Sequence, residues 1–169
     1  MRLWTIQTEQ AYLAFLEKGT LRGDWRRVER TLFKPAYKWL CQQMEQRGIK
    51  LAGRPPMWAW TKRPDLRSGG NLERGAKGVR LEIEIPESLV LISNFEAWHC
   101  VLNNHFLVTH DDELDGMFDR PRHEVVESWQ KIFQLEHINA LPGYNDLTQA
   151  TFSELLPEHV VDTTPFVSR

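Results

Sequence analysis

The side chains with the widest chemical scope fall on a few short stretches. In residues 149–155, Q-A-T-F-S-E-L, alternation places Gln149, Thr151 and Ser153 on one face of a strand and Ala150, Phe152 and Glu154 on the other. Glu154 then shares an apolar face, where a carboxylate either acquires a displaced pKa suited to catalysis or pairs with a cation of the basic half. In residues 57–61, M-W-A-W-T, Trp58 and Trp60 project to one side. Two adjacent indoles build a wall for a planar ring or simply fill core, and the pattern is open to both. His99 and Asn103 stand four apart on one flank of a helical stretch, placed to meet a ligand together or to be satisfied locally.

Several patterns stop short of a site. The run G-N-L-E-R-G-A-K at residues 70–77 is not a phosphate loop, because Ala76 separates Gly75 from Lys77 and Gly78 stands where Ser or Thr is required. Residues 110–116, H-D-D-E-L-D-G, set acids before a glycine, but Arg122 holds the twelfth position where a calcium loop needs a bidentate glutamate. His99, His105 and His110 lack the spacing that presents two imidazoles to zinc. Cys41 and Cys100 stand alone, which suits two reduced, buried thiols.

The net charge of −2 conceals a division. Residues 1–80 hold 17 Lys and Arg against 7 Asp and Glu, and residues 81–169 hold 4 against 16. Either the halves neutralise each other in the fold, or the basic half meets an anion such as a phosphate-bearing cofactor or a nucleic acid. Arg22, Arg26, Arg27, Arg30, Lys34 and Lys38 are interleaved with Trp25, Phe33, Tyr37 and Trp39, a mixture that serves nucleotide stacking or a helix with one core face and one solvated face.

These residues need a scaffold, and residues 79–93, V-R-L-E-I-E-I-P-E-S-L-V-L-I-S, organise it. Leu81, Ile83 and Ile85 alternate with Arg80, Glu82 and Glu84, the signature of a strand with a buried and a wet face, and a second apolar strand follows the Pro-Glu-Ser turn. Such a strand pair needs further strands beside it. Residues 2–7 read as a first strand and 57–61 as a second. Helices are expected from Thr8 to Gly19, over 25–32, from Pro35 to about Arg47, over 96–104 and over 124–135. Residues 62–78 form a polar glycine-rich loop, residues 141–144 a turn, and the last residues a terminal edge strand. The expectation is one domain over residues 1–169, of α+β class, with a small, mainly antiparallel sheet and helices around it. The start lacks a signal peptide's apolar core and no apolar run approaches the ~20 residues that cross a bilayer, so a cytoplasmic, non-membrane protein is expected.

The stretches L-W-T-I-Q, L-E-I-E-I-P-E-S-L-V-L-I-S-N-F-E-A-W-H-C-V-L-N, E-S-W-Q-K-I-F and Q-A-T-F-S-E-L resemble a bacterial protein family of unknown function. In element order the chain also resembles the small ADP-ribosyltransferase-like domains. That resemblance implies a transferase or glycohydrolase using a nicotinamide dinucleotide (NAD), with no metal and an unknown macromolecular acceptor. The first strand would grip the dinucleotide, with Thr5 in the place of the family's His or Arg and Gln7 beside it. Trp58, Trp60 and Thr61 would form the aromatic wall and hydroxyl of the second strand, with His99 and Asn103 near the cofactor. The catalytic acid of the late strand falls on Glu154 or, in another register, on Gln149, and arginines of the basic half would hold the pyrophosphate. The alternative is a non-enzymatic module that binds nucleic acid or protein through the basic, aromatic half.

Overall fold

In the computed structural model, which describes residues 1–28, 32–141 and 143–169, the chain opens with strand β1 (Arg2–Thr8), whose Leu3 and Thr5 are buried. Thr8 converts the strand into helix α1 (Glu9–Lys18), since its hydroxyl accepts from the Ala11 N–H at 3.2 Å. Gly19, at φ +66°, closes the helix by donating to the Phe15 carbonyl at 2.9 Å. Two short elements follow, β2 (Leu21–Arg22) and α2 (Trp25–Val28). The helix expected over 25–32 is seen to Val28, and Glu29, Arg30 and Thr31 lie outside the described residues. Helix α3 (Lys34–Gln46) begins where Pro35 costs no hydrogen bond, and it buries Ala36, Trp39, Leu40 and Met44.

Strands β3 (Met57–Trp60) and β4 (Lys77–Glu84) frame the glycine-rich loop. A 3-10 turn (Glu87–Leu89) leads to β5 (Leu91–Asn94), and Asn94 caps α4 (Phe95–Leu102) by accepting from the Ala97 N–H at 2.8 Å. Helix α5 (Arg122–Ser128) tightens into a 3-10 segment (Trp129–Phe133) before α6 (Leu135–Ile138). The expected turn at 141–144 contains Pro142, which is outside the described residues. Strands β6 (Thr148–Phe152), β7 (Glu154–Leu155) and β8 (Val160–Val167) complete the chain.

The architecture is α+β. Six strands form an open sheet in the order β5-β6-β3-β1-β4-β8 with every neighbouring pair antiparallel, and β2 and β7 make a separate two-stranded ribbon. The strand pair expected over residues 79–93 is corrected here: β4 and β5 are both strands, but β1, β3 and β6 stand between them. β4 is hydrogen-bonded along both edges, by β1 and by β8, and has no edge left for β5. Arg80, expected on a wet face, is 7% exposed. Its guanidinium donates to the Pro64 carbonyl at 3.0 Å and to the Thr164 hydroxyl at 3.3 Å, so the loop after β3 and the edge strand β8 both close over it. Burial without an acidic partner at hydrogen-bond distance lowers its pKa.

The two faces of the sheet carry separate cores. Leu3, Met57, Ala59, Leu81, Ile83 and Phe152 pack with Phe15 of α1 on one face. On the other, Leu91 and Trp58 meet Leu40 and Met44 of α3, Trp98 and Val101 of α4, and Trp129 and Ile132 of the 3-10 segment. Each large apolar side chain buried this way contributes about 1.5–3 kcal/mol. Trp39 lies parallel to Phe133 at 5.8 Å and edge-on to Trp129 at 5.4 Å, so within the basic, aromatic stretch Trp39 is core and Tyr37 packs against that core. No helix among the described residues is long and apolar enough to cross a membrane.

Candidate functional site

The first, second and late strands of the sequence, β1, β3 and β6, are adjacent in the middle of the sheet. In register, Trp60 lies opposite Trp4 on one side and opposite Gln149 on the other, and Trp58 lies opposite Thr151. Cross-strand partners share a face, so Trp58, Trp60 and Gln149 project together. They border a cavity of about 230 Å³ that Thr5, Ile6 and Asn71 also line. Asn71 comes from the glycine-rich loop, which it folds by donating to the carbonyls of Asp65 at 3.1 Å and Ser68 at 3.2 Å.

Each polar group at this cavity has a definable state. Thr5 is 1% exposed; its hydroxyl donates to the Trp58 carbonyl at 2.8 Å and accepts from Gln7 Nε2 at 2.8 Å, so it ties β1 to β3. Gln149 is 5% exposed and holds the Ser93 hydroxyl only loosely, at 3.4 Å. The indole N–H of Trp58 is shielded from solvent and has no hydrogen-bond partner among the described residues. Its ring packs against Trp98 at 5.3 Å and Tyr37 at 5.9 Å, and burial pushes the Tyr37 phenol upward. Trp60 leans on Phe95 at 5.1 Å. The arrangement is an aromatic slot with amide groups at its rim, suited to a flat heteroaromatic ring with hydrogen-bonding edges.

Other expected site residues lie elsewhere. Thr61 donates to the Thr148 carbonyl at 3.0 Å and touches the Thr148 hydroxyl, clamping β3 to β6 without lining the cavity. His99 Nδ1 sits 3.0 Å from the Phe95 carbonyl and Asn103 Nδ2 donates to the His99 carbonyl at 2.7 Å, so both bond to their own helix. Glu154 does not continue the face of Ala150 and Phe152. The ladder of β6 ends at Phe152, Ser153 interrupts it, and β7 pairs with β2, which brings Glu154 opposite Arg22. Arg22 donates Nε at 2.7 Å and Nη2 at 2.5 Å to one Glu154 oxygen, and the Thr20 hydroxyl approaches the same oxygen at 3.4 Å.

A larger cavity of about 510 Å³ adjoins the first, and Ile6 and Trp58 line both. Gln7, Gln10, Lys18, Arg22 and Arg27 give it a polar, cationic wall, so Gln7 belongs here rather than with Trp60. Asn71 and Lys18 had no individual signal in the sequence, because loop geometry and the packing of α1 beside β2 brought them in, whereas Arg27 belongs to the basic, aromatic stretch. Ion pairs Arg2–Glu82, Arg22–Glu154 and Lys62–Asp146 join the basic and acidic halves, while Lys18 and Arg27 make no ion pair among the described residues. Neutralisation between the halves is therefore partial. Neither cysteine is an activated nucleophile: burial pushes the Cys41 thiol up to about 11 and raises that of Cys100. Among the described residues no cluster of three or more His, Cys, Asp or Glu is placed to hold a metal ion.

A family model described as Domain of unknown function (DUF3841) matches residues 2–120, a span that includes β1, β3 and the glycine-rich loop. No curated protein and no solved structure matches the chain.

Proposed function

The chain belongs to the DUF3841 family, and on the geometry of its site we propose that it binds a nicotinamide dinucleotide in an ADP-ribosyltransferase-like cleft, as a binding module rather than a transferase. One observation carries the reading: residues of three adjacent strands, Thr5 and Ile6 of β1, Trp58 and Trp60 of β3 and Gln149 of β6, line a single cavity beside a cationic one, with the two indoles and the Gln149 amide sharing one face. The nicotinamide ring stacks on the indoles, and the Gln149 and Asn71 amides serve its carboxamide or the adjoining ribose.

Catalysis of this type asks for a carboxylate against the ribose as nicotinamide leaves and positive charge develops on the sugar. Gln149, at the late-strand position, offers an amide that can orient a hydroxyl and cannot neutralise that charge. Glu154, the acid of the two candidates, is held by Arg22 away from the aromatic cavity. These two placements support binding over turnover.

The test is a titration with oxidised nicotinamide dinucleotide, followed by tryptophan fluorescence and by release of free nicotinamide. The expected result is saturable quenching, weakened at least about fivefold in Trp60→Ala by the loss of roughly 1–3 kcal/mol of stacking, with no nicotinamide released. Absence of binding at millimolar ligand overturns the reading. Nicotinamide release that Glu154→Gln abolishes overturns the non-catalytic half and restores Glu154 as the catalytic acid.

A further inference from the structure

We infer that the larger cavity is a seat for a diphosphate group, and that Glu154 occupies its central cation as a built-in competitor. The inference deepens the dinucleotide reading, on which it rests for the identity of the whole ligand. Three cations, Lys18 of α1, Arg22 of β2 and Arg27 of α2, converge on this one cavity from separate elements, with Gln7 and Gln10 adding amide donors. Among the described residues the cavity's one acidic lining residue is Asp24, and its carboxylate is already committed: it accepts from the Arg26 N–H at 3.0 Å and faces the Arg26 guanidinium at 3.3 Å, which holds it below the usual carboxylate range. Lys18 and Arg27 make no ion pair among the described residues, although Arg27 acts on the Asp24 carboxylate at longer range.

Arg22 is the instructive member. Its Nε and Nη2 both point at a single oxygen of Glu154, the approach a guanidinium makes to a phosphate oxygen. Glu154 is half-exposed and lies on the ribbon β2-β7, outside the six-stranded sheet, so it can swing away without disturbing the ladder of β6. The shared wall of Ile6 and Trp58 sets this seat beside the aromatic slot, which matches a ligand carrying a flat ring at one end and phosphates further along. A polynucleotide fits less well, because Trp39 is buried in the core and Trp25 donates its indole N–H to the Gly53 carbonyl at 2.8 Å rather than standing free for a base.

The experiment titrates inorganic pyrophosphate by calorimetry at low and moderate salt, into wild type, Arg22→Ala, Arg27→Ala and Glu154→Gln. Arg22→Ala and Arg27→Ala are each expected to weaken binding by about tenfold or more, the scale of a charged hydrogen bond. Glu154→Gln is expected to tighten it, by no more than about fivefold because an exposed ion pair is weak. Pyrophosphate that fails to bind, binds equally to all four proteins, or is outcompeted by a single-stranded oligonucleotide at equal phosphate concentration overturns the inference. Nicotinamide alone, which carries no phosphate, is titrated alongside into wild type and Trp60→Ala. Nicotinamide binding without pyrophosphate binding removes the diphosphate seat and leaves the aromatic slot standing, and the reverse removes the slot.

Discussion

Trp129→Ala is expected to lower stability by about 3–5 kcal/mol, the cost of removing a buried tryptophan from a packed core. Trp129 is 1% exposed and lies where three interactions meet: Trp39 edge-on at 5.4 Å, the Arg122 guanidinium over its ring at 4.9 Å, and an indole N–H donated to the His105 carbonyl at 2.8 Å. The substitution leaves a cavity and a carbonyl without its donor, so the transfer loss and the hydrogen-bond loss add. Urea unfolding measures the change directly, and for a chain of this size it corresponds to a fall in Tm of about 10 °C. Trp129→Phe keeps much of the apolar volume and should recover part of the loss. A change below about 1 kcal/mol for alanine would mean that the helical side of the sheet is not packed around this residue.

Acid should remove stability through Glu113. Burial by itself would raise its pKa, but the Lys131 ammonium at 2.5 Å, the Thr109 N–H at 2.7 Å and the Thr109 hydroxyl at 3.1 Å outweigh that and hold the carboxyl at about 2. The folded pKa lies below the unfolded one. The carboxylate's contribution is therefore complete above about pH 5 and lost as pH falls toward 2, amounting to roughly 3 kcal/mol. Glu113→Gln should lower stability at neutral pH and flatten this part of the curve, so that the two proteins converge near pH 2. Parallel curves across that range would contradict the assignment. Glu113 joins the segment at Thr109 to the 3-10 segment of Trp129, so both predictions concern the same side of the sheet.

Local chemistry was the legible part of this fold. Thr8 and Gly19 bracket α1 and Pro35 opens α3, both of which depend on residues within a few positions of one another. Strand neighbours were not legible, because period-two alternation says which face a residue takes and nothing about which strand lies beside it. That is why β4 and β5 read as a pair and are separated by three strands. The candidate site divides along the same line. Trp58 and Trp60 share a face as their spacing requires, and Gln149 joins them through register. Glu154 moved away because a single residue, Ser153, ends one ladder before another begins, a break that alternation carries straight through. Thr61, His99 and Asn103 had the right chemistry but were taken by nearby backbone carbonyls.

The most direct test of the central claim is a crystal structure of the protein with oxidised nicotinamide dinucleotide. The account predicts the nicotinamide ring against Trp58 and Trp60 with its polar edge toward Gln149, the diphosphate on Arg22, Lys18 and Arg27, and Glu154 displaced from Arg22. An aromatic cavity left empty at saturating ligand, or a dinucleotide bound on another surface, would contradict it.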